Sequence, residues 1–163
     1  MDMHARSGWL VATALWVIAG VGMCATLADT KIAFDSDAAG VGAPDVYVMD
    51  IDGQGVTRLT TQGGSEPDWS PDGDTMTLTI GTGSNLDIAV MSADGSNLVN
   101  LTNAATADVS PAWSPDGSRI AFRSLRDGGQ GEVYVMDADG ANATNISNNG
   151  AEDGAPAWSP DGL

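Results

Sequence analysis

Pro111-Ala112-Trp113-Ser114-Pro115-Asp116-Gly117 decides the fold, because it occurs three times. Pro67-Asp68-Trp69-Ser70-Pro71-Asp72-Gly73 precedes it by 44 residues, and Pro156-Ala157-Trp158-Ser159-Pro160-Asp161-Gly162 follows it by 45. A sequence that copies itself at a fixed period must be read as a repeat before any other reading is made. In each Ser-Pro-Asp-Gly the proline pre-sets φ for a turn, and the aspartate can bond the backbone two residues on. The glycine takes the positive φ that ends the reversal. Each copy therefore predicts a hairpin turn.

Outward from these turns, three further elements recur. Ile120-Ala121-Phe122 follows the second turn and is matched by Ile32-Ala33-Phe34 and, loosely, by Leu78-Thr79-Ile80. Asp45-Val46-Tyr47-Val48-Met49-Asp50-Ile51-Asp52-Gly53 is echoed by Glu132 to Gly140 and more weakly by Asp87 to Gly95. A short stretch closes each unit: Val56 to Thr60, Leu98 to Thr102, Ala143 to Ser147. The Val-Tyr-Val-Met run is apolar on both faces and too short for a helix, which predicts a strand between two neighbouring sheets. Asp-x-Asp-Gly reverses the chain again. Four strands of four to six residues in about 44 are the period and strand count of a β-propeller blade, with the tryptophan filling the space between blades. Labelled a to d, Pro-x-Trp lies on a, Ile-Ala-Phe on b, Val-Tyr-Val-Met on c and the closing stretch on d. The chain then reads b, c, d; a, b, c, d; a, b, c, d; a, which predicts twelve strands.

Composition agrees. Of 163 residues 42% are hydrophobic, enough to bury a core. Three Glu and one Lys against 21 Gly, 7 Pro and 19 Asp favour turns over helices, so an all-β chain is expected. The formal charge of −16 argues against nucleic acid, since only Lys31, Arg58, Arg119, Arg123 and Arg126 lie beyond residue 28. Residues 7–28 carry no formal charge and read as an address. Thr26 and Ala28 occupy the −3 and −1 positions of a signal-peptidase site that would leave Asp29 as the new N-terminus. The alternative is an uncleaved anchor, the only part of the chain that would touch a membrane. Either way residues 29–163 are expected outside the cytoplasm, periplasmic or extracellular, as units of about 30–73, 74–117 and 118–162. Cys24 is the only cysteine, so no intrachain disulfide forms. Val21-Gly22-Met23-Cys24 resembles a lipoprotein box except at Met23; Cys24 reads as a small apolar residue of the run.

Ile-Ala-Phe, Val-Tyr-Val-Met-Asp-x-Asp-Gly, the Leu-Thr ends Leu59-Thr60 and Leu101-Thr102, and Pro-x-Trp-Ser-Pro-Asp-Gly together resemble the WD40-like β-propeller repeats of the TolB family, the periplasmic component of the Tol-Pal envelope system. The likeness covers residues 31–162. It implies an exported, non-enzymatic propeller that binds an envelope or extracellular protein. Related blades form the non-catalytic propeller of prolyl-oligopeptidase-type peptidases, which leaves open a fragment of a larger enzyme; a carbohydrate or small-ligand propeller is a third reading. TolB resembles a six-bladed ring preceded by an α/β domain, whereas this chain holds three units and Lys31-Ile32-Ala33-Phe34 follows the address directly. The expected form is an incomplete or half propeller. Either the sequence is a fragment whose next residues form another b strand, or two chains associate head-to-tail to complete the ring.

No catalytic, cofactor or metal residue is assigned. The one histidine is His4, which removes Ser-His and Cys-His pairs and ordinary zinc sites from residues 29–163. Asp72, Asp116, Asp161, Asp50, Asp52, Asp94, Asp137 and Asp139 recur with the turns and read as turn chemistry. EF-hand spacing fails from Asp137, where position 5 is Ala141, and from Asp35, where it is Ala39. Glu66, Asp108 and Asp153 precede the inner-strand proline by one to three residues, which makes a carboxylate ring at a channel mouth, weakly cation-binding or merely solvated, the one arrangement to test. Tyr47 and Tyr134 lie on c strands and read as core. Asn100, Asn142 and Asn145 open Asn-x-Ser/Thr sequons. Asp35 to Pro44 and Asp127 to Gly131 read as b-to-c loops exposed for contact.

Overall fold

The computed structural model describes residues 30–38, 40 and 42–162. The signal or anchor expected over residues 1–28, Cys24 included, lies outside them. Eleven strands are present among the described residues, in three antiparallel meanders. The first sheet runs β1 (Lys31–Ser36), β2 (Asp45–Asp50), β3 (Thr57–Arg58). The second is β4 (Ser65–Trp69), β5 (Thr75–Thr82), β6 (Asn85–Ser92), β7 (Val99–Asn100). The third is β8 (Asp108–Trp113), β9 (Arg119–Ser124), β10 (Glu132–Asp137), β11 (Thr144–Asn145). No helix in the described residues is long and apolar enough to cross a membrane.

Three expectations need correction. The twelfth strand is missing: residues 154–158 carry no strand and pair with none of the three sheets. The closing strands β3, β7 and β11 are two residues long, while β5 and β6 reach eight. The counterpart of Ile120-Ala121-Phe122 is Met76-Thr77-Leu78 rather than Leu78-Thr79-Ile80, since Trp113 opposes Ile120 and Trp69 opposes Met76. A slip of two residues keeps every side chain on its own face, so hydrophobic alternation alone fits both registers.

The turns form as their residues dictate. In Ser70 to Gly73 the glycine N–H donates to the Ser70 carbonyl (2.9 Å), and Asp72 accepts from the Ser70 hydroxyl (2.6 Å) and the Asp74 N–H (3.1 Å). Ser114 to Ser118 repeats these bonds. In the Asp-x-Asp-Gly turns, Asp52, Asp94 and Asp139 each accept the N–H two residues ahead at 2.9 Å.

The core lies between the sheets. Val46 and Val48 of β2, Met76 and Leu78 of β5, and Ala89 and Met91 of β6 form one buried cluster, against which Trp69 packs. Ile88 points the other way and joins Ile120, Phe122, Tyr134 and Met136, with Trp113 packed on them. Strand β6 thus supplies both clusters by its alternating faces, as a strand between two sheets must. Each fully buried aliphatic or aromatic side chain contributes about 2 kcal/mol.

Candidate functional site

The first strands of the sheets form the surface where successive units meet, and their geometry is unusual. In β4 the pairing steps from Ser65 opposite Thr79 to Asp68 opposite Thr77; in β8 it steps from Val109 opposite Arg123 to Ala112 opposite Ala121. Two residues face one, which is a β-bulge, and the residue that makes it has positive φ: Glu66 at 53° and Ser110 at 55°. Ala155 at 51° repeats the conformation in the unpaired third copy.

The bulge turns side chains and N–H groups toward the next unit. Glu66 accepts the Ser110 N–H and hydroxyl, both at 2.9 Å, and the Thr79 hydroxyl at 2.8 Å. Its own N–H donates to Asp35 of the first sheet (3.1 Å). Asp68 accepts the Trp113 N–H at 2.7 Å; its half-burial raises its pKa above the ordinary value, a shift that this hydrogen bond opposes. The Trp158 indole donates to the Ala112 carbonyl (3.0 Å), while the indole N–H groups of Trp69 and Trp113 are buried without an acceptor.

The proposed ring of Glu66, Asp108 and Asp153 does not assemble. The bulge register makes Glu66 the equivalent of Ser110 and Ala155, whereas Asp108 and Asp153 occupy the position of Gly64. Asp108 is fully buried and paired with Arg126 at 2.7 Å, and Asp153 bonds the Asn149 amide. Among the described residues, no three or more His, Cys, Asp or Glu side chains converge as metal ligands would.

A different carboxylate set, which turn chemistry did not single out, is repeated faithfully. Asp45 and Glu132 open β2 and β10, Asp87 is the third residue of β6, and all three are buried. Each accepts from the hydroxyl that ends its unit: Thr60 (3.1 Å), Thr102 (3.1 Å) and Ser147 (2.5 Å). The same hydroxyls accept the Val46, Ile88 and Val133 N–H groups. Burial pushes the Asp45 carboxyl up, but bonds from the Gly63 N–H, Thr60 and Arg58 outweigh it and leave the pKa below the ordinary value. The sequence signal was present: an acid at the start of every Val-Tyr-Val-like run, 15 residues ahead of a hydroxyl. This is a clamp within each blade.

Tyr47 stacks on Phe34 (centroids 5.7 Å apart) and Tyr134 tilts against Phe122 (5.6 Å). The Tyr134 phenol, pushed up to about 12 by burial and by Asp127, which accepts its hydroxyl, is a packing residue with its polar end satisfied. The b-to-c loops border open recesses between adjacent sheets. One, of about 520 Å³, is lined by Pro44, Gly64, Thr79, Gly81 and Leu86; its counterpart, of about 370 Å³, is lined by Ala107, Leu125, Arg126 and Gly129. Lys31, Arg58, Arg123 and Arg126 are engaged in ion pairs with Asp50, Asp45, Glu152 and Asp108. The charge left over is strongly acidic.

Three antiparallel meanders, set side by side through their first strands with cores between them, define a segment of a β-propeller. The chain belongs to the TolB beta propeller domain family, which it matches over residues 64–163. It is 39% identical over 100 residues to a TolB homolog of Chlorobium luteolum, spanning 61% of this chain and 22% of that protein. The structure of a TolB-like protein of Agrobacterium tumefaciens superimposes with a TM-score of 0.75 at 27% identity, over 81% of this chain and 47% of the other. TolB of Acinetobacter baumannii gives 0.69 at 26% identity, over 81% and 33%. The chain spans less than half the length of each of these relatives.

Proposed function

We propose that this chain is a non-catalytic scaffold of the cell envelope that binds a protein partner through its loop face, in the manner of a Tol-Pal component. One observation carries the reading. The side chains that recur in every unit are spent on the architecture: turn aspartates on backbone N–H groups, c-strand acids on the hydroxyl clamp. Residues 29–163 contain neither histidine nor cysteine to act as base or nucleophile. What differs between units is the loops, which is where a propeller recognises its partner. A relative of Anaeromyxobacter dehalogenans, 48% identical over 45 residues, is named a Tol-Pal system protein. Export through residues 7–28 and a periplasmic location belong to this proposal.

The net charge of −16 favours a partner with a basic contact face. The test is photo-crosslinking of the full chain, exported in cells, from a probe at Asp37 or Gly128 in the two b-to-c loops. The expected result is an adduct with Pal of the same organism that weakens as salt rises. Peptide hydrolysis by the purified chain, or no adduct with any Tol-Pal component, would overturn the reading.

A further inference from the structure

We propose that Asn149-Gly150, in the loop after β11, is a self-modification site: the Gly150 nitrogen attacks the Asn149 side chain, expels ammonia and leaves aspartate or isoaspartate in its place. This goes beyond the scaffold reading and does not depend on it. The chain holds eight Asp-Gly pairs and one Asn-Gly pair. The fold treats them differently. In six of the eight, the glycine has positive φ and its N–H donates to a carbonyl three residues back, as Gly73 does to Ser70 and Gly117 to Ser114. The aspartates of these turns are held ionised: bonds from Ser114 and Ser118 keep Asp116 at about 2, and bonds of the same kind hold Asp72 and Asp94 below the ordinary value. An ionised carboxylate carries no leaving group, and a glycine N–H engaged with a carbonyl is slow to give up its proton. In the other two pairs, Asp127 accepts the Tyr134 hydroxyl and Asp153 the Asn149 amide.

Asn149-Gly150 lacks both protections. Its side chain is a neutral amide, which can lose ammonia. Gly150 is exposed, lies outside the left-handed region and has open space where a Cβ would sit. Its N–H donates to no acceptor among the described residues. Ala104 and Asn149 both donate their N–H to the c-strand acid of their unit, which makes Ala105 the equivalent of Gly150 between the second and third sheets. Ala105 is exposed too, so exposure is a property of this loop position. The Ala151 N–H, 2.6 Å from Asn149 Oδ1, bends the side chain over the Gly150 peptide. It also faces the oxygen on which negative charge gathers as the nitrogen adds. The Gly150 nitrogen gives its proton to solvent and bonds to Asn149 Cγ; the Cγ–Nδ2 bond breaks, and ammonia leaves with a proton from water. Water then opens the cyclic imide at either carbonyl, yielding aspartate or, with one extra methylene in the backbone, isoaspartate. Either product loses the bond that Asn149 Nδ2 donates to Asp153 and sets a second carboxylate near it. The Asn149 N–H also donates to Glu132 (3.2 Å), and the Asp153 N–H to the Gly131 carbonyl (2.6 Å), so the change reaches the end of the adjoining b-to-c loop.

The experiment incubates the purified full chain, folded and in urea, over a range of mildly alkaline pH. Peptide mass mapping and methyl transfer from S-adenosylmethionine by an isoaspartate methyltransferase locate the products. In the folded chain residue 149 is expected to exchange NH2 for OH within about tenfold of its rate in urea, faster at higher pH, as a mixture of aspartate and isoaspartate. The Asp-Gly turns are expected to give isoaspartate only in urea. Asn149→Gln, whose longer side chain must close a larger ring, and Gly150→Ala are each expected to slow the reaction about tenfold or more. Asn149→Asp brings the charge without the extra methylene. It is expected to weaken the protection of the Gly131 and Asp153 amides against hydrogen exchange, with the Val46 and Ile88 amides unchanged. An Asn149 that survives in the folded chain while reacting in urea overturns the proposal, as does isoaspartate at Asp72 or Asp116 of the folded chain. Unchanged exchange in Asn149→Asp overturns the consequence for the loop.

Discussion

Gly95→Ala tests whether each blade is seated on the one before it. Gly95 closes the Asp-x-Asp-Gly turn of the second sheet at φ 84°, and a Cβ built there meets the Leu59 carbonyl oxygen at 2.9 Å and Leu59 Cβ at 3.1 Å. Leu59 belongs to the first sheet's closing stretch, so the turn rests on its neighbour's backbone, which cannot swing aside as a flexible side chain would. Gly73, in the Ser-Pro-Asp-Gly turn of the same sheet, has φ 76° and open space around its Cβ. It is the matched control. Forcing alanine into the left-handed region costs about 1–2 kcal/mol at either glycine. Gly95→Ala adds the cost of overpacking, about 1–3 kcal/mol. With a urea slope of about 1–3 kcal/mol per molar, the extra term lowers the unfolding midpoint by about 1 M beyond that of Gly73→Ala. Tryptophan fluorescence reads the transition, since Trp69 and Trp113 lie against the two cores. Equal midpoints for the two variants would refute the seating of turn on blade.

Thr60→Val removes the hydroxyl that serves both the Val46 N–H and Asp45, all three buried, and is expected to cost about 2 kcal/mol in urea unfolding, whereas Thr60→Ser restores most of it; equal losses in the two would remove the clamp. Asp116 is held at about 2 by the Ser114 hydroxyl and the Ser118 N–H and hydroxyl. A depressed folded pKa means stability that is present above the ordinary carboxylate value and drains as pH falls toward 2, so Asp116→Asn is expected to flatten the acid limb of a stability–pH curve. An unchanged limb would count against it. Asp68 has the opposite sign: its raised pKa gives stability that is fully present below the ordinary value and is lost as pH rises through the folded one. Asp68→Asn, which can still accept the Trp113 N–H, is therefore expected to match or exceed the parent at pH 7, and Asp68→Ala to fall below it by about 1 kcal/mol in thermal unfolding. An asparagine variant as weak as the alanine one would sink the assignment.

Fold class, blade count and turn chemistry were legible because they rest on short-range rules. Proline, aspartate and glycine at fixed offsets make the same reversal wherever they occur, and a residue period of 44 or 45 leaves room for one small sheet. What was not legible depended on register and on pairing across the fold. Leu78-Thr79-Ile80 looked like Ile-Ala-Phe because a two-residue slip preserves the alternation of faces; only the pairing of Trp69 with Met76 separates the choices. The carboxylate ring failed for a related reason. Counting back from each proline put Glu66, Asp108 and Asp153 together, but the bulge assigns Glu66 to a different position from the other two. Nothing in the local composition announces a bulge at Glu66 and Ser110, since neither is a glycine.

The two kinds of polar contact in this molecule then do different things. Bonds that repeat, the turn aspartates and the clamp of acid and hydroxyl, lie within one sheet and make every blade alike. Side-chain bonds between sheets do not repeat. Glu66 reaches Ser110, yet Ser110 is the residue at its own position in the next unit; Asp68 reaches the Trp113 N–H, while Ala112 and Ala157 stand where Asp68 does. A stack held by identical contacts alone would let any blade follow any other, because its stability is a sum of unit and nearest-neighbour terms. Contacts made by Glu66 and Asp68 distinguish the junction of the second and third sheets from every other junction. Exchanging the residues of the two inner strands, Glu66 with Ser110 and Asp68 with Ala112, would thus leave each sheet's own ladder intact while depriving that junction of its acceptors. The loss should appear as weakened coupling between blades rather than as unfolding of either one.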